Sequence, residues 1–227
     1  MAKIICIANQ KGGVGKTTTA VNLASSLAAA ERKTLLIDLD PQGNATSGIG
    51  IDRNALEHSV YDLLINEAEL RSVVVRSALP CLDVLPANKD LAGAELELVA
   101  EIGRELRLKQ ALANTAGDYA YCIIDCPPSL NLLTINALTA ANSVLIPLQC
   151  EYYAMEGLSA ILNTIKLVQR GLNPRLAIEG ILLTMFDARN NLSRQVAQAY
   201  VDSREALGFP MLAPQYRRSR DALETAS

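Results

Sequence analysis

Residues 4–19, IICIANQKGGVGKTTT, leave this chain few folds to choose from. An apolar run over 3–8 reads as a strand, a turn dense in glycine follows, and an alanine-rich helix begins at about Lys16. A loop that binds phosphate needs that order. Glycines carry no Cβ, so several backbone N–H groups can converge on anionic oxygens, and the next helix presents the positive end of its dipole. Lys16 then supplies a point charge for β- and γ-phosphates, and the Thr17 hydroxyl is placed to ligate Mg²⁺. The pattern GxxxxGK[ST] fails only at its first glycine, where Gln10 stands. Lys11 opens a tighter version, Lys11-Gly12-Gly13-Val14-Gly15-Lys16-Thr17.

The second lysine is informative. Two ammonium groups on one short loop repel each other unless a polyanion lies between them or one points elsewhere. The residues alone leave open a simpler role, in which Lys11 only adds charge within its own subunit.

The 227 residues fit one sizeable α/β domain, taken as 1–227, with an aliphatic core: half the residues are hydrophobic, 4% are aromatic and there is no Trp. A formal charge of −3 gives no global attraction to nucleic acid, so any such surface is a local patch. Cys6, Cys81, Cys122, Cys126 and Cys150 mostly lie in apolar strand-like runs without a CxxC pair, and read as buried thiols of a reducing compartment. With no signal peptide and no long apolar segment, the expected location is cytoplasmic and away from membranes. His58, the one histidine, sits in a polar stretch and reads as a surface residue.

Further along, helical spacing over 17–30 gives a helix able to lie close on a sheet. The continuous apolar run at 34–39 is the mark of a parallel strand covered on both faces, 143–148 reads as another buried strand, and 82–85, 118–125 and 176–184 read as strands. The expected architecture is therefore a doubly wound, mostly parallel sheet flanked by helices on both faces. Chemistry in such sheets gathers at the C-terminal strand ends. Asp38 and Asp40 fall there and share a face, although Asp40 could simply cap a turn. Asp125 ends the 118–125 strand, the place for a carboxylate that holds Mg²⁺ beside Thr17. One long amphipathic helix is expected over 91–113, with Leu98, Ile102, Leu106 and Leu112 inward, and helices are expected over 130–141, 158–169 and 191–207. A short last strand is expected over 209–213. Arg217, Arg218 and Arg220 cluster near the end, with Arg189 and Arg194 as possible companions. The planar fork of Arg bonds two phosphate oxygens at once, and the alternative is a solvated cluster or one paired with Asp221, Glu224 and other acids.

The loop with its extra lysine resembles the deviant Walker A motif of the ParA/MinD family of P-loop ATPases, also called SIMIBI-type. The Asp38-to-Asn44 stretch (DLDPQGN) resembles that family's switch I, the Cys126-Pro127-Pro128-Ser129 loop lies where it has switch II, and Gln149 to Leu158 resembles its QxExxAxEGL segment. The resemblance covers nearly the whole chain and implies an ATP- and Mg²⁺-dependent ATPase, weak until a partner stimulates it. In the family's terms, Gly12, Gly13, Val14, Gly15, Lys16, Thr17 and Thr18 cradle the phosphates. Lys11 reaches across a homodimer to the other subunit's nucleotide, Asp40 orients the attacking water and stands near the metal, and Asp125 holds Mg²⁺. Arg189, Arg217, Arg218 and Arg220 bind double-stranded DNA without sequence preference. Pro214 begins a segment over the adenine base, where relatives read IPRNV. Here Tyr216 stands in place of Asn, and it is expected to stack on the base instead.

Within the family, the cluster-carrying members need bridging cysteines that are absent, MinD-like members end in a basic amphipathic helix not visible before Ser227, and tyrosine kinases carry a tyrosine cluster. The implied type is a ParA/Soj partition ATPase. Its ATP dimer binds non-specific DNA, associating with the nucleoid, until a ParB-type protein triggers hydrolysis. Alternatives are a MinD-like division-site ATPase and a ParA-like positioning ATPase for a protein cargo.

Overall fold

The computed structural model describes residues 2–113, 118–150, 154–187, 189–191, 193–196 and 211–212. Its centre is an eight-stranded sheet in the order β3-β4-β2-β5-β1-β6-β7-β8. The strands are β1 (Lys3–Ile7), β2 (Thr34–Asp38), β3 (Val75–Arg76), β4 (Leu82–Leu85), β5 (Tyr121–Asp125), β6 (Ser143–Gln149), β7 (Ala177–Thr184) and β8 (Met211–Leu212). All neighbours run parallel except β3 against β4. The glycine loop thus leaves the middle of the sheet, with β5 on one side of β1 and β6 on the other.

Strand alternation divides the core in two. Ile5, Ile7, Leu36, Ile123 and Leu145 face α1 (Lys16–Ala29), which packs through Ala20, Ala24 and Ala28, and the short α2 (Asn44–Gly48) adds Ala45 to the same cluster. Those small side chains let the helix lie close to the sheet. Cys6, Leu35, Ile37, Cys122 and Ile124 face the other way, onto a layer of later helices. That layer holds α3 (Val60–Leu64), α4 (Leu70–Val73), α5 (Leu91–Leu98), α6 (Arg107–Ala113), α7 (Leu132–Ala140) and α8 (Ala154–Gly171). The largest fully buried side chains are all Leu or Ile, in line with the expected aliphatic core. Cys6, Cys122, Cys126 and Cys150 are buried free thiols, whereas Cys81 is exposed.

The continuous helix expected over 91–113 is broken. α5 ends at Leu98, Gly103 turns left-handed at φ 72°, and a 3₁₀ turn over Arg104–Leu106 leads into α6. Asn136 of α7 holds the break: its Oδ1 accepts from Leu108 N at 3.1 Å, and its Nδ2 donates to Arg104 O at 2.8 Å. Ile102, expected to face inward, is 99% exposed as a result. The strand expected over 118–125 starts only at Tyr121, and α8 starts four residues before the expected 158. His58 is exposed, 3.9 Å from Asp62. Of the last expected elements, 209–213 is described only at Met211–Leu212, a strand beside β7, and most of 191–207 lies outside the described residues.

A phosphate loop and two buried carboxylates form the candidate active site

Where β1 ends, the chain must reverse from strand to helix within eight residues, and the loop does so through left-handed glycines. Gly13 has φ 73° and Gly15, immediately before α1, has φ 88°. Side-chain bearing residues avoid that region, so glycine is needed at both positions. The loop is tied at three points. Asn9 accepts from Lys11 N at 3.0 Å, Thr184 at the end of β7 donates its hydroxyl to Val14 O at 2.8 Å, and Lys16 Nζ donates to Lys11 O at 2.9 Å. Lys16 is buried beneath the loop; burial depresses its pKa, opposed by the charges of Asp125, Cys126 and Asp40. A part-desolvated ammonium gains from an anion placed beside it, while the two nearby carboxylates favour its charged form.

The acids reach this point by register. Asp38 and Asp125 are paired neighbours on β2 and β5, and alternation turns both to the α1 side of the sheet. Asp38 is fully buried and satisfied: Thr46 donates both its backbone N–H and its hydroxyl to Oδ2 at 2.8 Å, and Asp40 N donates to Oδ1 at 3.1 Å. Burial still pushes its pKa up to about 6, with these bonds resisting. Thr46 Oγ1 also accepts from Ala87 N at 3.0 Å, so one hydroxyl links the short helix over Asn44–Gly48, β2 and the loop after β4.

Asp125 is the opposite case. Both its oxygens are buried with no hydrogen-bond partner. Burial first and the Asp38 charge next push its pKa up to about 8; Thr17 lies near enough to favour the charged form but makes no bond of good geometry. A buried carboxylate left without partners is costly unless a cation or its water shell completes it. The donor set, a hydroxyl and carboxylates, is of the hard-oxygen type that Mg²⁺ takes. Asp40 stands just beyond, its Oδ1 accepting from Gln42 N at 2.9 Å and its carbonyl from Gly43 N at 2.8 Å.

Comparison with known proteins matches residues 2–178 to the AAA domain family (AAA_31). The chain is 60% identical over 198 residues to the chromosome partitioning protein ParA of Myxococcus xanthus, covering 87% of this chain and 70% of that one. It is also 60% identical over 198 residues to the sporulation initiation inhibitor protein Soj of Bacillus subtilis, covering 87% and 78%. The chain belongs to the ParA/Soj family of P-loop ATPases. A solved structure from Mycobacterium smegmatis, described as cobyrinic acid a,c-diamide synthase with bound ADP and magnesium, superposes with a TM-score of 0.90 at 45% identity, covering 97% of this chain and 88% of that one.

Of the residues that the ParA/Soj resemblance points to, the structure gathers Lys11, Gly12, Gly13, Val14 and Gly15 on one loop and Lys16 and Thr17 at the start of α1, with Asp40 and Asp125 close to Lys16. Thr18 is on α1 with its side chain outward. Arg189 follows β7, is 82% exposed, and bonds Asp187 through Nε at 3.2 Å. Pro214, Tyr216, Arg217, Arg218 and Arg220 lie outside the described residues. Three residues that the sequence reading left unassigned tie neighbouring segments together around the site: Asn9 joins the first turn of the loop to β6, Thr46 joins β2 to the segment after β4, and Thr184 joins β7 to Val14. Asn9 carried a signal, an Asn two residues before a turn amide. Thr184 had none, being 170 positions from the carbonyl it holds. Among the described residues, no helix is long and apolar enough to cross a membrane.

Proposed function

We propose that the chain is a DNA-partition ATPase that switches between a monomer and a nucleotide-bound sandwich dimer, and that 1–227 acts as one domain. The observation that carries this reading is the pair of orphaned Asp125 oxygens at the foot of a loop with two lysines. ATP is the substrate. Lys16 and the N–H groups from Gly12 to Thr18 hold its phosphates, and the base is assigned to Pro214 and Tyr216 by the family resemblance. Thr17 and Asp125, with Asp40 near, are the residues to hold Mg²⁺, which when bound neutralises charge on the phosphates. Asp40, fixed by the Gln42 and Gly43 amides, orients the attacking water. Lys11 extends to the nucleotide of the partner protomer.

The dimer then binds duplex DNA through Arg189, Arg217, Arg218 and Arg220, with an affinity that falls steeply with salt. A ParB-type protein stimulates a slow intrinsic hydrolysis, which returns the chain from the nucleoid to the cytoplasm. The names of the M. xanthus and B. subtilis relatives support this reading, at 60% identity against 45% for the diamide synthase. The ADP and magnesium of that structure support the nucleotide and the metal.

A mobility-shift titration on plain duplex DNA with ATP, with ADP and without nucleotide tests it. Wild type is expected to shift DNA only with ATP, Lys16→Ala not at all, and Asp40→Ala to hold DNA with ATP while hydrolysing little. Equal DNA affinity with ATP and ADP refutes the switch. Near-normal ATP binding by Lys16→Ala refutes the site.

A further inference from the structure

β1 would, if it continued, go on bonding to β6. Ala8 N donates to Leu145 O at 3.3 Å, and in a parallel ladder the next such bond belongs two residues on, from Gln10 N to Pro147 O. The chain instead leaves the sheet, and the Asn9 side chain takes that place, its Nδ2 donating to Pro147 O at 2.7 Å. The other end of the same amide, Oδ1, accepts from Lys11 N at 3.0 Å. Chemistry alone dictates this orientation, since the carbonyl can only accept and the backbone N–H can only donate. The amide is 2% exposed, and Gly157 of α8 backs it so closely that a Cβ there would lie 3.5 Å from Oδ1.

We infer that Asn9 is a positioning residue for Lys11: it ends β1, locks the first turn of the loop to β6, and so aims the lysine that serves the partner protomer. The rest of the loop has its own anchors, in the Thr184 hydroxyl on Val14 O and the Thr19 amide and hydroxyl on Gly15 O. Lys11 O stays held by Lys16 Nζ at 2.9 Å, so loss of the Asn9 amide frees Lys11 N and the direction of its side chain more than it disturbs Lys16, Thr17 and the amides that hold a protomer's own nucleotide. The inference rests on the dimer reading above, and its test separates the two.

The experiment uses the full chain as wild type, Asn9→Ala, Asn9→Ser, Lys11→Ala and Asn9→Ala/Lys11→Ala. Far-UV circular dichroism establishes folding, fluorescent-ATP titration reads the protomer's own site, and sedimentation velocity with a non-hydrolysable ATP analogue reads dimerisation. Asn9→Ala, which removes both bonds of the amide, is expected to leave the nucleotide Kd within about threefold while weakening dimerisation about tenfold, because Lys11 N loses its acceptor and Lys11 its fixed direction. In the Lys11→Ala background it is expected to change dimerisation no further, because the two residues act as one unit. Asn9→Ser, which retains an acceptor for Lys11 N but cannot reach Pro147, is expected to fall between wild type and Asn9→Ala. Equal losses in nucleotide binding and dimerisation, additive losses with Lys11→Ala, or a dimer unchanged by either Asn9 variant overturn the assignment. A wild type that stays monomeric with the analogue overturns the dimer reading and this assignment with it.

Discussion

Thr46→Val is a nearly isosteric change that removes one hydroxyl and nothing else of comparable size. That hydroxyl donates to Asp38 Oδ2 at 2.8 Å and accepts from Ala87 N at 3.0 Å, all of it buried. Two losses follow. A hydrogen bond to a charged group is worth about 1.5–3 kcal/mol, and an orphaned buried N–H costs about 1–3 kcal/mol. With some return from burying a methyl group, the variant is expected to unfold about 3 kcal/mol more easily at about pH 8. The deficit depends on pH because Asp38 titrates. Its folded pKa is about 6, above the unfolded value of about 3.9, so the folded chain binds the extra proton and this group's stability contribution falls as pH rises between those values. At about pH 4.5 Asp38 is protonated and Thr46 loses only a neutral bond, which shrinks the deficit to about 2 kcal/mol. Urea titrations of both proteins at the two pH values, nucleotide-free and compared at equal m, measure it. A deficit below about 1 kcal/mol at pH 8, or one no smaller at pH 4.5, refutes the argument that this hydroxyl supports a buried charge.

Thr139 supplies the converse experiment: its hydroxyl is buried without a partner, so Thr139→Val is expected to be neutral or stabilising by up to about 1 kcal/mol in the same assay. Gly43 and Gly13 are both left-handed, but a Cβ on Gly43 would meet Ala87 O at 2.9 Å while one on Gly13 meets nothing within 4 Å. Gly13→Ala should therefore cost about 1 kcal/mol of stability and Gly43→Ala about 3 kcal/mol, measured by thermal unfolding. Asp125 keeps its proton up to about pH 8 in the folded chain, so its contribution to stability is full below about pH 4 and is lost as pH rises towards 8. Asp125→Asn is expected to make the nucleotide-free protein about 2 kcal/mol more stable at pH 8 while abolishing magnesium-dependent nucleotide binding, read by calorimetry with and without Mg²⁺. An equal or lower stability for Asp125→Asn removes the view that this carboxylate waits for a cation.

Local chemistry made much of this legible along the chain. A glycine-dense turn between an apolar run and an alanine helix specifies a strand, a loop and a helix wherever it occurs, and continuous aliphatic runs specify buried parallel strands; both depend on residues within a few positions of one another. The pairing of Asp38 with Asp125, 87 residues apart in sequence, depends on β2 and β5 being neighbours, and no local pattern encodes which strand lies beside which. The same holds for Thr184 on Val14 and for Asn9 on Pro147. The helix expected over 91–113 failed for a related reason: its spacing permitted one long helix, but Gly103 and the Asn136 amide, supplied from α7, favour a break that leaves Ile102 in solvent. Residue types and their periodicity thus determined which chemistry could arise here. Tertiary packing decided which carboxylate is satisfied and which is left waiting, because hydrogen bonds and burial between distant segments exist only once the sheet has formed.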